Sequence, residues 1–169
     1  MNNKKTKQVV LSALFAAMVF VCTRFTQIPI FGGQGYVHIG DAFVFLSAAM
    51  LPAPFAMAAS AIGAGLADFT SGYTIYVLPT AIIKALMALA FLGNKNIKIL
   101  SVRSIISCVI GCIVLVGGYY ITEVILYQNF ISPILGMVWN AAQGIFSAVG
   151  FIVLAVALDK AKAKERLGA

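Results

Sequence analysis

The groups able to do chemistry in this sequence are scarce and fall in a few places. His38, the only histidine, stands three residues before Asp41 in "GYVHIGDAF". Glu123 has Tyr119 four residues before it and Tyr127 four after, which puts all three on one helical face. Asn140 and Gln143 are one helical turn apart beside Trp139, the only tryptophan. Lys84 and Asp68 are further charges within otherwise apolar stretches. An acid, a base, two amides and rings that can stack are what recognition of a polar heterocycle requires. Reaction chemistry is poorly served. Glu123 with His38 is the only reactive pair on offer, and no G-x-x-x-x-G-K-[ST], H-E-x-x-H or G-x-S-x-G occurs. Cys22, Cys108 and Cys112 each lie inside apolar runs without further ligands nearby and read as small core hydrophobes. No catalytic residue, metal or cofactor is expected, and the chain is not read as an enzyme.

The elements that must hold these groups are bilayer spans. Hydrophobic residues make up 62% of the 169, against about 45–50% in soluble domains, and the mean hydropathy is +1.00. The net charge of +7 comes from twelve Lys and Arg against five Asp and Glu. Its basic groups cluster at Lys4 to Lys7, Lys95 to Arg103 and Lys160 to Arg166, at the ends of apolar segments, so no nucleic-acid partner is expected. The first segment resembles a signal peptide but lacks a small-x-small cleavage site, and it reads as a retained helix.

Six spans are predicted, near 8–23, 38–52, 54–71, 74–92, 103–127 and 131–159, forming one all-α integral membrane domain over 1–169. Pro52 and Pro54 in "LPAP" split the uncharged stretch from Ala42 to Ala67 into two helices. With six spans, ten of the twelve Lys and Arg fall on one side. The positive-inside rule then makes both termini cytoplasmic, in a multi-pass protein of the cell membrane surrounded by lipid.

Depth along the helices, at ~1.5 Å per residue, places all six tyrosines and Trp139 in the outer half. Charges at such depths are costly unless paired or facing a wet cavity. Lys84 either contacts ligand or pairs with Asp68 or Glu123 to tie helices together; Asn140 and Gln143 either contact ligand or bond across helices. The long Gly-rich stretch "RFTQIPIFGGQGYVHIG" reads as a lid on the outer side. Asp41 is expected to cap the second helix, with His38 beside it at the mouth. Small residues at four-residue intervals, Ala13 with Ala17 and Ala59 with Gly63 and Ala67, allow close helix approach, either internally or to a partner.

The run from Tyr36 to Ala88, "YVHIGDAFVFLSAAMLPAPFAMAASAIGAGLADFTSGYTIYVLPTAIIKALMA", carries a resemblance. It is similar to the substrate-binding S components of energy-coupling factor (ECF) vitamin transporters, and most closely to the riboflavin-type family. The shared pattern runs from an outer G-D, through A-D-x-x-S-G-Y, to P-T-x-x-I-K-x-x-M; the last two helices match only in length and character. The resemblance implies a six-helix membrane subunit that binds a vitamin near the outer surface under a lid. It implies partners as well, one transmembrane T component and two ATPase subunits, with Ala13 and Ala17 matching the A-x-x-x-A motif that meets the T component. By the same resemblance the pocket would draw on the outer loop and helices four to six. The candidate ligand contacts are then Tyr36, His38, Tyr76, Lys84, Tyr119, Glu123, Trp139, Asn140 and Gln143. Family membership favours riboflavin, while a pyridoxine or a hydroxymethylpyrimidine suits the charges equally well. A structural subunit without ligand, or an intramembrane enzyme, would be the alternative.

Overall fold

The computed structural model describes residues 3–30, 35–93, 96 and 98–167. Lys95 and the tip of the long loop, 31–34, lie outside them. The chain runs α1 (Asn3–Phe25), β1 (Ile28–Ile30), β2 (Gly35–Val37), α2 (Asp41–Met50), α3 (Ala53–Thr70), a single 3-10 turn (Thr74–Tyr76), α4 (Val77–Leu89), α5 (Val102–Tyr127), α6 (Pro133–Lys160) and α7 (Ala163–Leu167). Among the described residues three helices are long and apolar enough to cross a bilayer: Lys4–Phe25, Val102–Tyr127 and Pro133–Lys160. Large apolar side chains such as Val109, Ile113, Ile145 and Val153 point outward, while Ser47, Ser60, Ser104, Ser107 and Ser147 are buried. That distribution suits lipid, where helices pack through small and weakly polar residues because apolar surface gains nothing by leaving the solvent.

α2 departs from the expected span over 38–52. It starts at Asp41, has ten residues and so measures ~15 Å, half the ~30 Å hydrocarbon core. All but Phe43 of those residues are buried, because α1, α3, α4 and α6 all pack on it. The helix ends at Met50 with Leu51 as its C-cap, short of the expected 52, and Pro52 caps α3 from extended backbone with Pro54 in its first turn; proline has no N–H with which to continue a helix. Asp41 is not the cap. Gly40 holds that position without any side-chain hydrogen bond, and the Asp41 carboxylate turns inward to a partner described below.

Close approach sets the rest of the frame. A Cβ on Gly63 would come within 2.5 Å of the Ala16 carbonyl oxygen and 2.8 Å of Val19 Cβ, so on α3 this small-residue interval serves packing against α1. Phe45, Phe91 and Phe151, from α2, the turn after α4, and α6, meet with ring centroids 6.0–6.3 Å apart and fill the core toward one end. At that end Asp159 accepts the Ile99 and Leu100 N–H groups at 2.8 and 2.9 Å. Lys164 of α7 donates to the carbonyls of Ala49 and Asn96, while Lys4, Lys7, Leu51 and Leu167 line one shallow recess. The N-terminus, the loop before α5 and the C-terminal segment, each basic, thus gather at one end of the bundle. The loop between α1 and α2 closes the other.

Candidate functional site

The Gly-rich loop is a β-hairpin, with Ile28 opposite Val37, Pro29 opposite Tyr36 and Ile30 opposite Gly35. The β-branched residues of "IPI" and the Gly-rich stretch before "GYV" were the available signal for it. Polar contacts fasten its base. Gln27 Nε2 donates to Ser71 Oγ at 2.8 Å, the Ile39 N–H to Thr26 Oγ1 at 3.2 Å, and the Tyr36 hydroxyl to Asp68 Oδ1 in a short bond. The Tyr36 ring stands 5.0 Å from that of Tyr73 and 5.6 Å from His38. The sequence "DFTSGY" builds the platform under this contact. Gly72 adopts φ +86°, and the N–H groups of Gly72 and Tyr73 return to the carbonyls of Phe69 and Asp68 at 3.3 and 3.0 Å. This Schellman ending closes α3 and delivers Asp68 and Tyr73 to the same spot.

Beneath the hairpin lies a cavity of about 210 Å³, walled by β2, the ends of α3 and α4, and the facing halves of α5 and α6. Tyr36, His38, Tyr76, Tyr119, Glu123, Asn140 and Gln143 line it, as do Asp68, Tyr73, Thr80, Tyr127 and Gly136. The Tyr76 and Tyr127 hydroxyls meet at 2.7 Å on its outer rim, and Thr80 bonds Tyr119 at 2.9 Å within. Gly136 makes room for an acid: a Cβ there would come within 2.8 Å of Glu123 Oε2.

Lys84 does not line the cavity. Its Nζ lies 2.7 Å from Asp41 Oδ1, both side chains being fully buried, so its partner is neither Asp68 nor Glu123. Its charge also sits 5.4 Å from the Tyr119 ring centre, from behind the wall. Gln143 extends the pair to the hairpin: Nε2 donates to Asp41 Oδ2 at 2.8 Å, and Oε1 accepts the His38 N–H at 3.2 Å. His38 Nδ1 accepts the Gly40 N–H at 3.0 Å, which leaves the imidazole proton on Nε2. The 3.3 Å approach of His38 Nε2 to Gln143 Nε2 then sets two donors side by side and adds no bond. Ion pair, amide and histidine backbone form one chain from the bundle centre to the hairpin's end.

Seven of the nine side chains singled out as ligand contacts therefore face one cavity; Lys84 stands behind its wall, and Trp139 is 43% exposed on the outside of α6. One residue's rotation about a helix, ~100°, separates Trp139 from the inward line of Gly136, Asn140 and Gln143. Asp68 and Tyr73 were not among those nine, and the D-x-x-S-G-Y spacing was the signal for both. Ala13 and Ala17 are exposed along α1, in an apolar groove shared with Phe20, Phe55 and Ile62. Among the described residues no group of His, Cys, Asp and Glu is arranged to hold a metal ion.

Comparison with known proteins agrees with this architecture. Residues 3–160 match the family described as ECF-type riboflavin transporter, S component. The thiamine precursor transporter HmpT of Lactococcus lactis subsp. cremoris (strain MG1363) is 27% identical over 157 residues, covering 92% of this chain and 88% of that protein. An uncharacterized protein in the gap 3' region of Pyrococcus woesei is 32% identical over 113 residues, 64% of this chain and 73% of its own length. The family is one of transporter subunits rather than enzymes, and its members are multi-pass proteins of the cell membrane. With its apolar helices, its outward-facing hydrophobic side chains and a match over nearly its whole length, this chain belongs to the ECF-type riboflavin transporter S-component family.

Proposed function

We propose that the chain is the high-affinity substrate-binding subunit of an ATP-driven importer for a small vitamin or vitamin precursor. In this reading it is one domain over 1–169 that crosses the membrane six times. The end bearing the basic clusters and both termini faces the cytoplasm, and the hairpin closes the outer end. The observation that carries the reading is the cavity itself: aromatic and amide-lined, set between helix ends, and covered by a segment tied down through hydrogen bonds at both edges. Lids held by a few polar contacts admit a ligand and then retain it.

Size bears on the substrate. About 210 Å³ lies below the ~300–1,000 Å³ of pockets for drug-sized ligands. A single substituted ring, of the hydroxymethylpyrimidine or pyridoxine kind, suits that space better than riboflavin with its fused rings and sugar-alcohol tail. The Lactococcus relative, a thiamine precursor transporter, favours the same choice.

Energy would come from partners, one T component and two ATPases, with the α1 groove at Ala13 and Ala17 as the docking face. The test separates capture from transport. Ala13→Trp and Ala17→Trp are expected to abolish ATP-dependent uptake in cells while ligand binding by the purified subunit stays unchanged. Uptake at the normal rate in both variants, or loss of binding in either, would overturn this division of labour.

A further inference from the structure

The charges facing the cavity are of one sign. Of five Asp and Glu in a chain of net charge +7, Asp68 and Glu123 both line it, and among the described residues no Lys or Arg does. The single ion pair among the described residues is that of Lys84 with Asp41, behind the wall. Asp68 is only 3% exposed. Its Oδ1 takes the Tyr36 hydroxyl, while its Oδ2 makes no hydrogen bond of ordinary geometry among the described residues; the Thr80 hydroxyl stands beside the carboxylate and is shared with Tyr119. Glu123 comes from the opposite wall, lodged against Gly136. A carboxylate as far from water as Asp68 needs a partner to remain charged, and the cavity side is where it can find one; Glu123, half-buried, faces the same space.

Resting on the substrate-binding reading above, we infer that the ligand is a small aromatic ring carrying an amino group or a positive charge, with Asp68 and Glu123 as its two acceptors. N–H donors on the ring edge would make charge-assisted bonds to both carboxylates, and the tyrosine faces around them favour a cationic ring further. Asp68 has two roles under this assignment. One oxygen holds the hairpin through Tyr36 and the other reads the ligand, so bound amine and closed hairpin share a carboxylate. Phosphorylated or carboxylate-bearing compounds are excluded by the same charges.

The experiment measures affinity by calorimetry on the purified full chain in detergent. Its probes are amino-substituted hydroxymethylpyrimidine, the same ring with an oxo group in place of the amine, pyridoxine, pyridoxal phosphate and riboflavin. The aminopyrimidine is expected to bind, the oxo analogue at least tenfold more weakly, and the phosphate not at all. Asp68→Asn and Glu123→Gln should each weaken the aminopyrimidine tenfold or more and narrow its margin over the oxo ring. Should Asp68→Asn fail to fold, the comparison of amino and oxo rings on the unaltered chain, together with Glu123→Gln, decides the matter. Tight binding of a neutral or anionic member in preference to the amine would overturn the charge assignment while leaving the subunit a substrate binder. If no probe binds, the substrate-binding reading fails and this inference with it.

Discussion

Lys84 is surrounded by apolar helix faces, and its charge is tolerable there because Asp41 lies 2.7 Å away and Gln143 bonds the other oxygen of that carboxylate. Removing one member of such a buried pair strands the other, at a cost of about 3–5 kcal/mol. Lys84→Met should therefore lower the melting temperature markedly, and adding Asp41→Asn should recover part of the loss because no bare charge remains; a double variant no more stable than Lys84→Met would contradict this. Tyr36→Phe keeps the ring and deletes one hydrogen bond to a buried carboxylate, which is worth about 1.5–3 kcal/mol. Because that bond is already made without ligand, the expected signature is a lowered ligand-free melting temperature together with ligand dissociation at least tenfold faster, read by stopped flow; unchanged dissociation would contradict the lid role. Both residues were visible in the sequence as scarce polar groups, but their partners were not. Three carboxylates compete for Lys84, and sequence spacing cannot say which helix end comes nearest.

At the scale of elements, the hairpin, the Schellman turn and the short α2 together position the cavity. α2, half the hydrocarbon thickness in length and buried among its neighbours, serves as the post on which four other helices lean. Its break at "LPAP" was legible because proline acts locally; its true start was not, because the inward pull of Lys84 on Asp41 is a tertiary effect. Trp139 teaches the same lesson, since adjacent positions on one helix can face a cavity and the lipid. Helix contacts at glycine give sharper expectations. Gly63→Val would drive its side chain into the Ala16 carbonyl and Val19, and overpacking of this kind costs about 1–3 kcal/mol. Thermal unfolding in detergent should register that loss, whereas Gly117→Ala on α5, with open space around it, should be neutral. Equal effects at the two positions would refute the close α1–α3 approach.

For the molecule as a whole, the two ends divide the work. One gathers the basic clusters, α7 and the Asp159 contacts; the other holds the hairpin over a cavity lined by two acids and most of the tyrosines. On the proposed reading the energy for uptake enters through partner subunits, in keeping with a sequence that carries no G-x-x-x-x-G-K-[ST] motif. On the proposed reading this chain alone, without those partners, captures a small vitamin-like ring. A ligand that binds only the folded state stabilises it by about 2.7 kcal/mol at a hundred times Kd, so the most direct measurement is a thermal-shift screen of the purified protein against B vitamins and their single-ring precursors. The expected result is a concentration-dependent rise in Tm of several degrees with one single-ring compound. No shift with any compound, in protein that still melts cooperatively, would contradict the claim.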